Sequence, residues 1–168
     1  MAHIAFRTDS TNATAEFMRA GLLRGILTRE MDDAALQFAT IDRVCGRFGG
    51  LVGGDAMAMA MREFRDQPIS TLARWIVDRT VISLDWHGHV MLPMFQFDPI
   101  DLSPRSDVQS VAQALAATHP NWDVALWFAQ PNALLDGEIP IDVIEHDFAA
   151  VMQAARSAAS VAMTRLPT

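Results

Sequence analysis

The chain has 168 residues, of which 51% are hydrophobic and 20% charged. This suits one folded domain, or one domain with an added helical part, around a sizeable core. A single cysteine, Cys45, excludes an internal disulfide. No stretch approaches the roughly 18 apolar residues of a membrane span, and residues 1–17 contain no apolar run of signal-peptide length. We therefore expect a soluble cytoplasmic protein.

Charge is unevenly distributed between the two halves of the chain. Residues 1–80 contain ten Arg and ten acidic residues, whereas residues 81–168 contain three Arg and ten acidic residues. The second half therefore carries the whole net charge of −7. Five of its acids fall within residues 131–147. A basic protein surface would be attracted to this half, and nucleic acid would be repelled by it.

The first half of the chain has the periodicity of helices. Apolar residues recur at three- and four-residue steps in residues 12–27 and again in 32–48, which predicts two helices. The stretch GGLVGG, residues 49–54, then breaks the chain. Asp55 is a plausible N-cap for a third helix, which we expect to end near Arg65.

A fourth helix is predicted over residues 68–78, where Pro68 suits the first turn. Its spacing predicts a buried face made of Ile69, Leu72, Trp75 and Ile76. The helices 55–65 and 68–78 together resemble a helix-turn-helix in spacing, with Arg74 and Arg79 on the second helix. Asp78 is also there and the surrounding charge is neutral, so the main electrostatic contribution to DNA affinity is missing.

The pattern changes at residues 81–97, where two apolar, β-branched and aromatic runs flank a turn centred on Gly88. This predicts a β-hairpin, with Pro93 marking an edge strand or a strand break. Beyond it we expect three helices, capped by Ser106, by Asn121 and by Asp147. The helix capped by Asn121 should end near Gln130, before Pro131. Pro140 should open a short helical turn. The predicted fold class is mainly α, a helical bundle with one small β-hairpin at about 81–97.

Candidate chemistry is sparse. His87 and His89 flank Gly88 and would share a face in an extended strand, as metal ligands can, but not in a tight turn. Cys45 lies on the apolar stripe of its helix, which favours a buried thiol over a nucleophile. The glycines of residues 46–54 match no phosphate-binding pattern. We therefore expect no enzyme activity, no metal and no cofactor.

Residues 80–160 contain a more specific pattern. LPMFQFDP is followed by a helix, then by NWDVALWFAQPNALLDGEIPIDVI, then by an Ala-rich helix. This arrangement resembles the toxin-binding domain of Xre/MbcA/ParS-type antitoxins. The residues that carry the resemblance, here called the signature residues, are Pro93, Phe95, Gln96, Phe97, Trp127, Phe128, Pro131, Asn132, Leu135, Gly137, Pro140, Ile141, Asp142, Ile144, Val151, Ala154 and Ala155.

The resemblance implies a non-enzymatic bacterial antitoxin that binds and occludes a RES-domain toxin, an enzyme that consumes NAD. It divides the chain into an N-terminal helical region, 1–79, with a degenerate helix-turn-helix, and a toxin-binding-type domain, 80–168. Turn chemistry explains most signature residues without a partner. Asn132 can form an Asx turn and Gly137 can take positive φ. Leu134 and Leu135 are expected to anchor the loop in the core. Contact with a partner is therefore predicted for exposed charged side chains, namely Asp136, Glu138, Asp142, Glu145, Arg156 and Arg165.

Two other functions are compatible with the sequence. A DNA-binding regulator would use residues 55–79, with the C-terminal domain serving for oligomerisation. A small metal protein or enzyme would use His87 and His89. The antitoxin hypothesis also includes a homo-oligomer.

Overall fold

The computed structural model describes residues 33–164. The chain separates into two compact units, Met1–Phe38 and Ala39–Thr168. Of the first unit, only the helical residues 33–38 are described, so the helix predicted at 12–27 lies outside the described residues. The second unit contains the predicted boundary between residues 79 and 80.

Helix α1 spans residues 33–45, and its last part, from residue 39, begins the second unit. A 3-10 turn, Gly46–Phe48, follows it. A short strand, β1, follows at Leu51–Gly53 and leads directly into α2, Gly54–Ala60, which ends in a second 3-10 turn. Helix α3 spans Pro68–Val77, with Pro68 in its first turn as predicted.

Strands β2, Leu84–Trp86, and β3, His89–Pro93, form the predicted hairpin. Its two turn residues, His87 and Gly88, both have positive φ, 52° and 79°, as a type I′ turn requires. The strand order is β1-β3-β2, so β3 is the central strand. Pro93 ends β3 and precedes a 3-10 turn, which confirms the predicted strand break but not an edge strand.

The rest of the unit is helical. The helices are α4, Ser106–Ala116; α5, Asn121–Ala129; α6, Pro140–Val143; and α7, Phe148–Thr164. A 3-10 turn, Ala133–Leu135, lies between α5 and α6. Helix α7 packs along α4, and its buried Val151, Ala154 and Ala155 are small enough for a close approach. The prediction of a mainly α fold with a small hairpin is confirmed.

Two hydrophobic clusters fill the unit. The larger cluster joins α1, the hairpin and α4–α7 around Phe95, Phe128 and Leu115. The smaller cluster joins α2, α3 and β3 around Met57, Leu72 and Leu92. The sheet lies between them, because β2 and the turn after β3 contribute to the larger cluster and Leu92 of β3 contributes to the smaller one.

Several local predictions are wrong. Strand β1 was expected to be only a glycine-rich break. Helix α2 begins at Gly54, so Asp55 lies in its first turn and does not cap it. Neither Ser106 nor Asn121 caps a helix with its side chain, because each is already the first helical residue. Ile69, predicted to be buried, is 67% exposed.

Candidate partner-binding site

Residues 130–139, which connect α5 to α6, form a closed loop around Asn132. The Asn132 side-chain oxygen accepts the Leu134 N–H at 2.9 Å, which is the predicted Asx turn. The Asn132 backbone carbonyl accepts the N–H groups of Leu135 and Gly137, and its own N–H donates to the Glu138 carbonyl. These bonds fix both ends of the loop against each other.

The tip of this loop is strained in one place. Asp136 and Gly137 are consecutive residues with positive φ, 54° and 84°. Glycine tolerates this conformation, as predicted for Gly137, whereas an ordinary residue such as Asp pays a steric cost. The conformation is maintained by the hydrogen bonds around Asn132 and by Leu135, which is buried in the larger cluster.

The element from Pro93 to Phe97 anchors the hairpin to the helices. Gln96 is the one buried polar or charged residue of the described part of the chain, with 3% of its surface exposed. Its side-chain oxygen accepts the Ile82 N–H at 2.6 Å, and its side-chain amide donates to the Ile82 carbonyl at 2.9 Å. Phe95 packs on Phe128, with ring centroids 5.2 Å apart. The role of this element is therefore structural, since it connects the hairpin to the helices.

The remaining signature residues have the same character. Pro140 is buried at the first position of α6, and Phe97 is buried in the smaller cluster. Trp127 is half-buried and meets Phe128 edge-on. Pro131 is exposed at the start of the loop. Most of the signature therefore holds the helices and the loop in place, and the surface around it is what a partner would meet.

The four predicted acidic contacts fall into two groups. Asp136 and Glu138 are exposed on the loop and make no ion pair with residues 33–164. Asp142 pairs with Arg47 at 3.0 Å, and Glu145 pairs with Arg105 at 2.9 Å. Exposed pairs of this kind contribute only about 0.2–1 kcal/mol, so a partner's cation could displace them.

Arg105 has a second acidic partner, Asp107, which it holds through two hydrogen bonds of 2.7 and 3.3 Å. Burial raises the pKa of Asp107, but the hydrogen bonds from Arg105 and from the Val108 N–H outweigh burial and lower its pKa below the ordinary value. The hydrogen bond to Asp107 raises the pKa of Arg105 against the opposing effect of burial. This pair fixes the start of α4.

Beside the loop, the exposed side of α7 carries a shallow groove of about 290 Å³. Leu134 of the loop and Val161 of α7 are its large apolar side chains, and both are exposed. Between them lie small residues of α7 and two polar side chains, namely Ala154, Ser157, Ala158, Ala162, His119 and Asn132. The groove thus combines an apolar floor with the rigid loop that presents Asp136 and Glu138.

The prediction that Leu134 and Leu135 both anchor the loop is half wrong. A 3-10 turn directs neighbouring side chains to different sides, so Leu135 is buried and Leu134 is 61% exposed. The Asx turn before them fixes the backbone but does not tell which of the two leucines faces the core. Arg156 lines a different groove, together with Phe148 and Met152, and Arg165 lies outside the described residues.

The other candidate sites receive little support from the structure. His87 occupies the tight turn and His89 the strand, and no three metal-ligating side chains cluster within residues 33–164. Burial and the nearby Asp42 raise the pKa of the Cys45 thiol to about 12, which is unsuited to a nucleophile. Arg79 donates to the carbonyls of Ala116 and His119. It is therefore committed to the fold and not to a DNA phosphate.

Two further findings concern the chain as a whole. None of the helices in the described part of the chain has the length and apolar character needed to cross a membrane. No family model, no curated protein and no solved structure matches this chain.

Proposed function

We propose that this protein is a non-enzymatic, antitoxin-like binding protein that occludes a RES-type toxin. The contact surface is the groove on α7 together with the acidic loop between α5 and α6. In this proposal the signature residues build the surface, and the exposed side chains beside them recognise the partner. The resemblance of residues 80–160 to Xre/MbcA/ParS-type antitoxins supplies the identity of the partner.

The observation that carries the proposal is that the loop whose Asn132 and Leu134 line the groove also exposes two acids, Asp136 and Glu138, that make no ion pair with the described residues. An apolar centre with a charged rim is the usual composition of a protein–protein contact. Leu134 and Val161 would supply the apolar centre, and Asp136 and Glu138 the rim. The net charge of −7 in the second half of the chain would increase the rate of encounter with a basic surface.

The rigidity of the loop also supports a role in binding a partner. Four backbone hydrogen bonds and one side-chain bond already fix residues 132–138, so little conformational entropy is lost when a partner docks. The strained Asp136 holds its carboxylate at the tip of the loop before any partner arrives. A loop of this kind suits recognition by shape and charge.

The proposal predicts a RES-domain gene beside this one. The experiment is co-expression with the product of that gene, followed by co-purification and by measurement of NAD loss. We expect the wild-type chain to bind and to prevent NAD loss. Leu134→Glu and Val161→Glu should each weaken binding roughly tenfold or more, because each places a charge in the apolar centre. A tenfold loss of affinity corresponds to about 1.4 kcal/mol of binding free energy. Both side chains are exposed, so both variants should fold.

Two controls make the result specific. Ile100→Glu introduces the same charge at a side chain that is 80% exposed and lies outside the groove, and it should bind as the wild type does. The double variant Asp136→Lys, Glu138→Lys should weaken binding most at low ionic strength, whereas Glu63→Lys should not. Normal binding by folded Leu134→Glu and Val161→Glu would remove the groove from the mechanism. Failure of the wild type to bind any RES-domain protein would refute the partner.

A further inference from the structure

A second, larger groove lies on the other side of the sheet, between α2, α3 and the turn of the hairpin. Its volume is about 570 Å³. Its lining contains both small and large residues. The small ones are Gly53, Gly54, Ala58, Ala73 and Gly88. The large, exposed ones are Met59, Ile69 and Val90.

Helix α3 explains why this surface is apolar. Leu72 is buried against the smaller cluster, and Trp75 and Ile76 are partly buried there. An adjacent strip of the same helix, about 100° further round, exposes Ile69, Ala73 and Val77 at four-residue steps. An apolar surface this wide is normally covered by other elements. Within residues 39–164, only the strip of Leu72, Trp75 and Ile76 packs against the smaller cluster.

The same groove carries one charge of each sign. Asp55 lies in the first turn of α2, and Arg62 lies in the 3-10 turn that ends it, seven residues further on. A nucleic acid would require a basic surface, and a strongly charged protein partner would require the opposite sign throughout. Asp55 and Arg62 lie at opposite ends of the α2 side of the groove, so a two-fold axis that crosses α2 midway between them would bring each charge opposite its counterion on a second copy.

We propose that two copies of this chain associate groove to groove about a two-fold axis. Met59 and Ile69 of each copy would then pack over the small residues Ala58 and Ala73 of the other copy, as side-chain ridges pack into grooves. Asp55 of one copy would face Arg62 of the partner subunit, and the symmetry repeats this pair. The inference does not depend on the proposed function, since it uses a different surface.

The first test is the molar mass of the full chain, measured by light scattering and by sedimentation equilibrium over a wide range of concentration. The wild type should be a dimer. Ile69→Glu and Met59→Glu should be monomeric at concentrations where the wild type is dimeric. Both side chains are about two-thirds exposed, so the fold, checked by circular dichroism, should remain. Ile100→Glu, which lies outside the groove, should stay dimeric.

The second test is an exchange of charge across the two-fold axis. Asp55→Arg alone and Arg62→Asp alone should each raise the dissociation constant of the dimer, because each places like charges opposite one another. The double variant should restore association towards the wild-type value. A wild type that is monomeric at every concentration would overturn the proposal. A dimer that survives both glutamate substitutions, or a double exchange that fails to restore association, would also overturn it.

Discussion

The hydrogen bonds between Gln96 and Ile82 allow a sharp test of how the hairpin is joined to the helices. Gln96 satisfies both backbone groups of Ile82, a buried residue that no strand partner reaches. Gln96→Met keeps the length and apolar stem of the side chain but removes both hydrogen-bonding groups. The Ile82 N–H and carbonyl would then be buried without partners.

The magnitude follows from those two groups. A buried backbone donor or acceptor that loses its partner costs about 1–3 kcal/mol, so the two together should lower the free energy of unfolding by about 2–6 kcal/mol. That is a large part of the total stability of a domain, which is about 5–15 kcal/mol. Gln113→Met, at an exposed position of α4, should change stability by less than about 0.5 kcal/mol.

The assay is urea unfolding followed by the fluorescence of the four tryptophans. Gln96→Glu provides a second test, in which stability depends on pH, since only a protonated carboxyl can donate to the Ile82 carbonyl. Burial should raise the pKa of the introduced carboxyl, so its destabilising effect should be small below about pH 4 and should grow as the pH rises. If Gln96→Met is as stable as Gln113→Met, the assigned role of Gln96 is refuted.

Three further predictions concern other contacts. Asn132→Ala should lower the free energy of unfolding by about 1 kcal/mol, as the loss of a cap does, whereas Asn132→Asp, which keeps the acceptor, should lose less; equal losses would contradict the Asx turn. Asp107→Asn should be less stable than the wild type near neutral pH. Because the pKa of Asp107 is lowered in the folded state, this difference should shrink as the pH falls below about 4, and a difference independent of pH would exclude the ion pair as its source. Cys45, with its pKa raised to about 12, should resist iodoacetamide in the native protein and react once urea unfolds it; rapid native alkylation would show that the thiol is accessible.

Features set by neighbouring residues could be predicted from the sequence. The Asx turn of Asn132, the positive φ of Gly137 and the start of α3 at Pro68 each follow from local backbone chemistry. Asp147 likewise caps α7 as predicted, because its carboxylate accepts the Ala150 N–H at 2.9 Å. These contacts span only a few residues, so the sequence contains all that determines them.

Features set by distant residues could not be predicted. Asn121 was expected to cap α5, but its side-chain amide donates to Ser83, which is 38 residues away in sequence. Strand β1 has only three residues and exists because β3 pairs with it. Ile69 has the right spacing for the core, but the apolar surface of α3 is wider than the part that is covered, and periodicity does not tell which part that is.

The pairing of β1 with β3 has a consequence for how this chain can be divided. Residues 51–53 bond to residues 91–93, so a fragment that starts at residue 80 would leave one side of β3 with unpaired N–H and carbonyl groups. An open strand of this kind is a template for pairing with another molecule and promotes aggregation. We therefore expect a fragment that begins at residue 80 to aggregate more readily than one that keeps residues 51–53.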